Sequence, residues 1–337
     1  MEKNKSIFII GAGSWGCALA SLLVENNYDV LVYDVDDNIV NEINCFHTNS
    51  KLPNVKLNKK VKATNKLEDI TNDYDIVLLA VPTKVVRLAL KNLACVLKHK
   101  VLFINVAKGI EIGSNKRISE IVYEEIDNEF IKGFVSLTGP SHAEEVVERK
   151  LTLVTSTSLN IDDAKLVQKI FSNNEYFRVY TSTDLIGAEL CGALKNVYAV
   201  ASGISSGLGY GVNASAALIT RSLAEIKRFV NYFGGDDKTL LGLTGVGDMI
   251  VTCTSNLSRN FQAGYMIGQG ENLEEALSKI TMVVEGANTC VAAYNIAKEH
   301  NLYAPIITAV YNVIYLHKNP KQEIINLLNS ELKEEFI

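Results

Sequence analysis

The sequence predicts an α/β protein: an N-terminal Rossmann-type, doubly wound parallel sheet followed by an all-helical C-terminal domain. Three observations predict it. Short, nearly continuous apolar runs alternate with amphipathic segments through the first half, as in a parallel sheet covered on both faces. The first such run leads directly into Gly-x-Gly-x-x-Gly. After about Thr183 the apolar spacing becomes helical and clear strands stop.

Strand candidates in order are residues 6–10, 29–33, 76–81, 101–106 and 133–137, with a further run at 151–156. Helical patterns lie between them at 15–25, 35–44 and 85–97. Beyond the change of texture, helices are expected over 185–205, 214–233, 285–299 and 305–316. The change falls near 180–184, dividing the chain into a dinucleotide-binding domain, 1–183, and a helical substrate-binding and catalytic domain, 184–337. Two domains suit 337 residues, because single cores stop growing near ~250–300 residues.

Composition narrows the class. With 47% hydrophobic and 21% charged residues the chain is neither disordered nor fibrous. A net charge of −5 leaves no basic footprint for nucleic acid, so an anionic ligand must be met by local positive groups. The six cysteines (Cys17, Cys45, Cys95, Cys191, Cys253, Cys290) form no C-x-x-C pair, which predicts buried, reduced thiols in a cytosol. Residues 6–24 are uncharged, follow Lys3 and Lys5 and contain Ala18-Leu19-Ala20, a superficial match to a secretory leader. Gly11, Gly13 and Gly16 interrupt that run and fit a strand turning into a helix far better. No other stretch approaches the ~18–20 uninterrupted apolar residues of a membrane span, so a soluble, unprocessed, cytoplasmic chain is expected.

The glycine motif carries a mechanism. Gly11 makes the tight turn, Gly13 lets backbone approach a pyrophosphate, and Gly16 permits close helix–strand packing. The helix that follows offers free N–H groups and partial positive charge to phosphates. The next strand ends at Tyr33-Asp34, where an acidic residue binds ribose hydroxyls in an NAD site. Two further strand ends, at Ala80-Val81-Pro82-Thr83 and Val106-Ala107-Lys108-Gly109, belong on the same ligand-binding edge. Lys108 follows an otherwise apolar strand; alone it is also consistent with a solvated loop.

Three segments resist explanation as packing. Thr138-Gly139-Pro140-Ser141-His142-Ala143-Glu144-Glu145 reads as a turn and helix start, with Ser141 suited to cap it. Lys195-Asn196, between Leu194 and Val197, lies in an apolar helix, so that lysine is either snorkelling or catalytic. The stretch Thr244-Gly245-Val246-Gly247-Asp248, followed by Thr252 to Asn260, gathers an acid, hydroxyls, an arginine and an amide. Its Ser258-Arg259-Asn260 looks like a helix start, a good place for phosphate.

These motifs, in this order, resemble the bacterial-type NAD(P)-dependent glycerol-3-phosphate dehydrogenases over essentially the whole chain. The resemblance runs through Gly11–Gly16, Ala80–Thr83, Val106–Gly109, Gly139–Glu145, Leu194–Asn196, Asn213–Arg221, Gly247–Asn260 and Val283–Gly286. It implies reversible hydride transfer between dihydroxyacetone phosphate and sn-glycerol 3-phosphate, supplying glycerophospholipid synthesis. It also implies Lys195 as the catalytic proton donor and acceptor. Lys108, Gly139, Ser141, Asp248, Ser258, Arg259 and Asn260, with Lys195, match substrate-contacting positions. Ser14, Trp15, Lys108, Ala143, Arg259, Val283 and Glu285 match cofactor-contacting ones, beside Gly11, Gly13, Gly16 and Asp34. No metal is implied, and His142 reads as packing or a weak contact.

The chemistry agrees. A ketone being reduced gathers negative charge on oxygen, which a nearby cation or acid must stabilise and protonate. Burial brings a lysine pKa toward working pH unless Asp248 restores it. Arg259 with Asn260 would supply a donor fork for the phosphate. In the second strand the sequence departs from the family, which often has a basic residue where Val35 stands, beside Asp34. NADH is therefore expected to be preferred over a still usable NADPH. The competing readings are a 3-hydroxy-acid or 3-hydroxyacyl-CoA dehydrogenase, and a non-catalytic nucleotide sensor. The first lacks the Ser258-Arg259-Asn260 context, and Lys195, Asp248 and Arg259 together argue against the second. The apolar helical half makes a homodimer the expected assembly.

Overall fold

The computed structural model describes residues 6–71, 73–280, 283–329 and 334–335, so Lys3 and Lys5 lie outside the described residues. One sheet of eight strands organises the first half: β1 (Ser6–Ile10), β2 (Asp29–Tyr33), β3 (Lys62–Thr64), β4 (Tyr74–Leu79), β5 (Val101–Asn105), β6 (Ile131–Thr138), β7 (Thr152–Thr157) and β8 (Phe177–Ser182). Their spatial order is β3-β2-β1-β4-β5-β6-β7-β8. The chain winds outward from β1 to β3, then crosses back to β4 on the other side of β1. That reversal makes a switch point, where ligands bind beyond the carboxyl ends of the strands.

Strand periodicity explains why both faces are covered. On β1, Ile7 and Ile9 enter one core while Phe8 and Ile10 enter another; on β5, Leu102 and Ile104 oppose Val101 and Phe103 in the same way. The first core takes apolar residues of helices Ser14–Glu25 and Ile161–Phe171, the second those of Thr83–Ala94 and Ile118–Glu125.

The sheet is mostly parallel, as the expected fold class requires, with one antiparallel pair that the expectation did not include. β6 and β7 pair antiparallel, with Thr138 opposite Thr155, and β7 and β8 then run parallel to each other. The connection from Gly139 to Leu151 holds only the short helix Ala143–Val147, so it stays on the ligand edge and does not cross the sheet. Two strands escaped the sequence reading. β3 has three residues at the sheet edge, and β8 alternates buried Phe177 and Val179 with exposed Arg178 and Tyr180.

The expected helix at 35–44 also differs. It starts at Asp37, capped by the Asp36 side chain, and gives way to a π-helical turn over Glu42–Phe46. Cys45 and Cys95 are exposed, contrary to the expectation of buried thiols: one lies in that turn and the other caps the Thr83–Ala94 helix.

After Ser182 the described residues form helices only, beginning with Leu185–Gly207, around which a third core gathers. Leu185 packs into the sheet's core, Gly192 lies against Thr138, and Lys195 follows about 15 Å along the axis from Leu185. The helix thereby carries Lys195 to the ligand edge. Helix Arg259–Gly268 lies almost backbone to backbone with it: a Cβ on Gly203 would stand 2.1 Å from the Phe261 carbonyl oxygen, and one on Gly264 2.1 Å from that of Val200. Glycine alone permits this approach, and it sets Arg259 and Asn260 beside Lys195 and Asn196.

Candidate active site

A cavity of about 670 Å³ opens at the switch point, between the sheet's carboxyl edge and the helical half. Gly11, Gly13, Ser14, Trp15 and Asp34 line one end. Lys195, Asp248, Thr252, Ser258 and Arg259 line the other, with Lys108, Ser141 and Ala143 also on its wall.

The glycine turn behaves as its spacing requires. Gly11 has φ of +112°, the left-handed region, and a Cβ there would meet the Ala80 carbonyl oxygen at 2.8 Å. Gly16 packs on the turn, a Cβ falling 2.1 Å from the Gly11 oxygen, whereas a Cβ on Gly13 would meet nothing and project into open space. Asp34 is tied to the same turn: Oδ2 accepts from the Ala12 N–H at 2.8 Å and Oδ1 from that of Asp36 at 3.1 Å.

The opposite end is a buried charge cluster. Asp248 Oδ1 accepts from Lys195 Nζ at 2.5 Å and Oδ2 from Lys108 Nζ at 3.1 Å. Lys195 also donates to Thr252 Oγ1 at 2.7 Å, and that hydroxyl donates onward to the Asp248 carbonyl. Lys195 is 4% exposed and Asp248 1%. Burial pushes the Lys195 ammonium down to about 7, with Asp248 pulling upward and Lys108 adding to the fall. Burial alone would raise the Asp248 carboxyl, but Lys108 and Lys195 together hold it below the usual carboxylate range. Burial, then the nearby Lys195 charge, lowers the His142 pKa, which favours a neutral imidazole.

Amides position these groups. The buried Asn105 side chain bonds Ala107 in both directions at 3.0 Å, fixing the turn that presents Lys108. Asn196 donates to the Lys108 carbonyl at 3.0 Å and accepts from Asn260 Nδ2 at 3.0 Å; Asn260 Oδ1 accepts from the Gly286 N–H at 2.8 Å. Glu285 caps the Thr83–Ala94 helix from the opposite half, its Oε1 accepting from the Thr83 N–H at 2.9 Å.

Placement of the expected residues is thus largely common to one cavity, with three differences. Ser141 does not cap a helix: its hydroxyl donates to the Gly139 carbonyl at 3.0 Å, and His142 occupies the cap position of the Ala143–Val147 helix. Gly139 and Gly16 stand behind the lining; Gly139 offers its carbonyl to Lys108 Nζ at 3.2 Å. The Arg259 and Asn260 side chains diverge: Arg259 donates to Ser14 Oγ at 3.1 Å and lies 3.6 Å from Glu144, while Asn260 is engaged with Asn196 and Gly286. Ser258 does start a helix, accepting from the Phe261 N–H at 3.3 Å. Thr252, Asn105, Asn196 and Thr83 escaped assignment. Thr252 had a signal in its spacing, standing one helical turn after Asp248 on the same face, and Thr83 and Asn196 had one in the motifs that hold them.

The residues fit a dinucleotide. Gly13 leaves an open cradle before a helix N-terminus. Trp15 Nε1 and His142 Nε2 are buried without a hydrogen-bond partner, atoms that a polar ligand would satisfy. A doubly wound sheet with this turn, an acid closing the second strand, and a lysine–aspartate pair across the cleft defines a nicotinamide-dependent dehydrogenase.

The particular family follows from comparison with known proteins. The NAD-dependent glycerol-3-phosphate dehydrogenase N-terminus family model matches residues 6–164, and the corresponding C-terminus model residues 184–325. The glycerol-3-phosphate dehydrogenase (NAD(P)+) of Ligilactobacillus salivarius is 48% identical over 337 residues, covering 99% of each chain. That of Geobacillus kaustophilus is 48% identical over 333 residues, covering 98% of this chain and 96% of its own. The crystal structure of the Coxiella burnetii glycerol-3-phosphate dehydrogenase superposes with a TM-score of 0.92 at 34% identity, covering 96% of this chain and 99% of that one. The chain belongs to the NAD-dependent glycerol-3-phosphate dehydrogenase family.

Proposed function

We propose that this protein interconverts dihydroxyacetone phosphate and sn-glycerol 3-phosphate with a nicotinamide cofactor, and that Lys195 moves the proton. The observation that carries this reading is the buried Lys195–Asp248 pair, with the half-buried Lys108 on its other side, at the end of a dinucleotide cavity.

The bound cofactor supplies or accepts the hydride; the chain supplies everything else. Two of the three donors on an ammonium Lys195 are held by Asp248 and Thr252, which leaves the third for the ketone oxygen. In reverse, the neutral amine keeps those two bonds and accepts the alcohol proton on its lone pair. Lys108, fixed by Asp248 and the Gly139 carbonyl, adds positive charge where the oxygen becomes negative. General acid catalysis of this kind contributes roughly 10²–10⁴-fold. The substrate phosphate is read as lying at the start of the Arg259–Gly268 helix, where the first N–H groups have no intrahelical partner, with Ser258 and Arg259 beside it.

On this reading the sheet half, to about residue 183, holds the cofactor, and the helical half supplies the proton and the phosphate site. Ser14, Trp15, Ala143, Val283 and Glu285, which line the cavity, serve the cofactor, and NADH is preferred because Asp34 closes β2. The product serves glycerophospholipid synthesis in the cytoplasm; among the described residues no helix is long and apolar enough to cross a membrane. A homodimer is supported by the apolar exposed start of the Val212–Tyr232 helix, where Val212 is 84% exposed, and sedimentation would test it. The deciding experiment is cofactor oxidation on adding dihydroxyacetone phosphate, with Lys195→Ala as control. Turnover by the wild type and at least about 10²-fold less kcat in the variant supports the reading, and equal turnover refutes it.

A further inference from the structure

The cofactor end of the cavity contains a cation that neither the glycine turn nor the proton chemistry uses. Lys51 lines the cavity with its Nζ 3.9 Å from Asp34 Oδ2, its side chain 41% exposed against 12% for the aspartate. Its backbone is nevertheless pinned. Asn49, 2% exposed, donates to the Ala12 carbonyl at 2.9 Å and to Cys17 Sγ at 3.0 Å, while its Oδ1 accepts from the Lys51 N–H at 2.8 Å. Leu52, next along, is 1% exposed and donates to the Asn49 carbonyl at 2.8 Å. One buried amide therefore bolts the loop to the phosphate-binding turn and leaves a long ammonium stem free beside the ribose position. A residue present only for solubility needs no such anchorage.

We propose that Lys51 is a specificity-determining residue, the group that lets this chain accept a dinucleotide bearing a 2′-phosphate although Asp34 occupies the ribose corner. The inference rests on the dinucleotide reading of the cavity. Asp34 has lone pairs remaining after its bonds to Ala12 and Asp36, so it receives ribose hydroxyls while Lys51 balances its charge. A 2′-phosphate brings nearly two negative charges to the same corner and is repelled by the carboxylate. The Lys51 ammonium, a compact charge on a flexible stem, swings from carboxylate to phosphate within its own length. The exposed Val35 offers no such donor, so the task falls to a loop that the sequence places well after β2.

The test measures kcat/KM with NADPH and with NADH in wild type, Lys51→Ala, Lys51→Arg and Lys51→Glu. The NADPH-to-NADH ratio should fall about tenfold in Lys51→Ala, fall further in Lys51→Glu, and stay within about threefold of wild type in Lys51→Arg. Calorimetric titration should give the same split, with 2′-phospho-ADP-ribose weakened about tenfold in Lys51→Ala and ADP-ribose much less. A ratio in Lys51→Ala within about twofold of wild type overturns the proposal, as does a wild type that does not turn over NADPH at all. If neither nucleotide binds the wild type, the dinucleotide reading itself fails, a result distinct from an unchanged ratio between two bound cofactors.

Discussion

Asp248 holds Lys195 from one carboxylate oxygen at 2.5 Å and keeps the other oxygen for Lys108 at 3.1 Å. The geometry makes the aspartate a regulator of lysine protonation. It raises the Lys195 pKa that burial depresses, and without it the ammonium would be too weakly held at neutral pH.

Asp248→Asn should therefore move the Lys195 pKa further below its value of about 7. Ketone reduction at pH 7.5 should drop by roughly 10²-fold, and its pH profile should shift toward acid. A profile that stays in place while activity falls would assign Asp248 to substrate contact alone.

The wild-type profile has a definite sign. Lys195 is ammonium below about pH 7 and amine above it. Reduction needs the ammonium, so its kcat/KM should fall as pH rises through about 7. Oxidation of the alcohol needs the amine and should rise through the same interval. The substrate's own phosphate titrates near ~6 and sets a separate acid limb, common to both directions. Two directions responding alike above that limb would exclude Lys195 as the titrating group.

Arg259 lies between the two ends of the cavity, its Nη2 on Ser14 of the glycine turn and its helix start at the proposed phosphate site. Arg259→Lys keeps the charge but loses the planar fork. It should raise KM for dihydroxyacetone phosphate and for the cofactor, on the order of tenfold each, with little change in melting temperature. Steady-state kinetics beside a thermal melt decide it: a large fall in melting temperature with both KM values unchanged would make the arginine structural.

The sequence disclosed those parts of the site that depend on local spacing. Gly11, Gly13 and Gly16 sit in one turn, Asp34 closes the strand after it, and Ser258 starts a helix; each requirement spans a few residues, so each was legible. What was missed depends on residues far apart in the chain. Asn260 reaches Asn196 and Gly286, Glu285 reaches Thr83, and Asn49 reaches Ala12, and no periodicity encodes such pairs. The expected donor fork of Arg259 and Asn260 failed for the same reason: consecutive helical residues point about 100° apart, so adjacency in sequence separated them in space. The antiparallel β7 was hidden because a buried strand looks the same in either direction.

The close approach of the Leu185–Gly207 and Arg259–Gly268 helices gives the last prediction. A Cβ on Gly264 would stand 2.1 Å from the Val200 carbonyl oxygen, a distance that only movement of one helix can relieve. The Asn196–Asn260 hydrogen bond lies about one turn away on the same two helices, at 3.0 Å, with little room to stretch. Gly264→Val should therefore act twice. Stability should fall by about 1–3 kcal/mol or more, as for other overpacked interiors, and this is read from denaturant unfolding. Below the melting transition, kcat and KM should both worsen as Arg259 and Ser258 shift away from Lys195. Gly268→Val, farther from the start of that helix, would also meet backbone, its Cβ falling 2.5 Å from the Ile204 oxygen. It should cost similar stability but less activity. Equal kinetic damage from both variants would mean that the helix contact sustains only the fold and does not align the site.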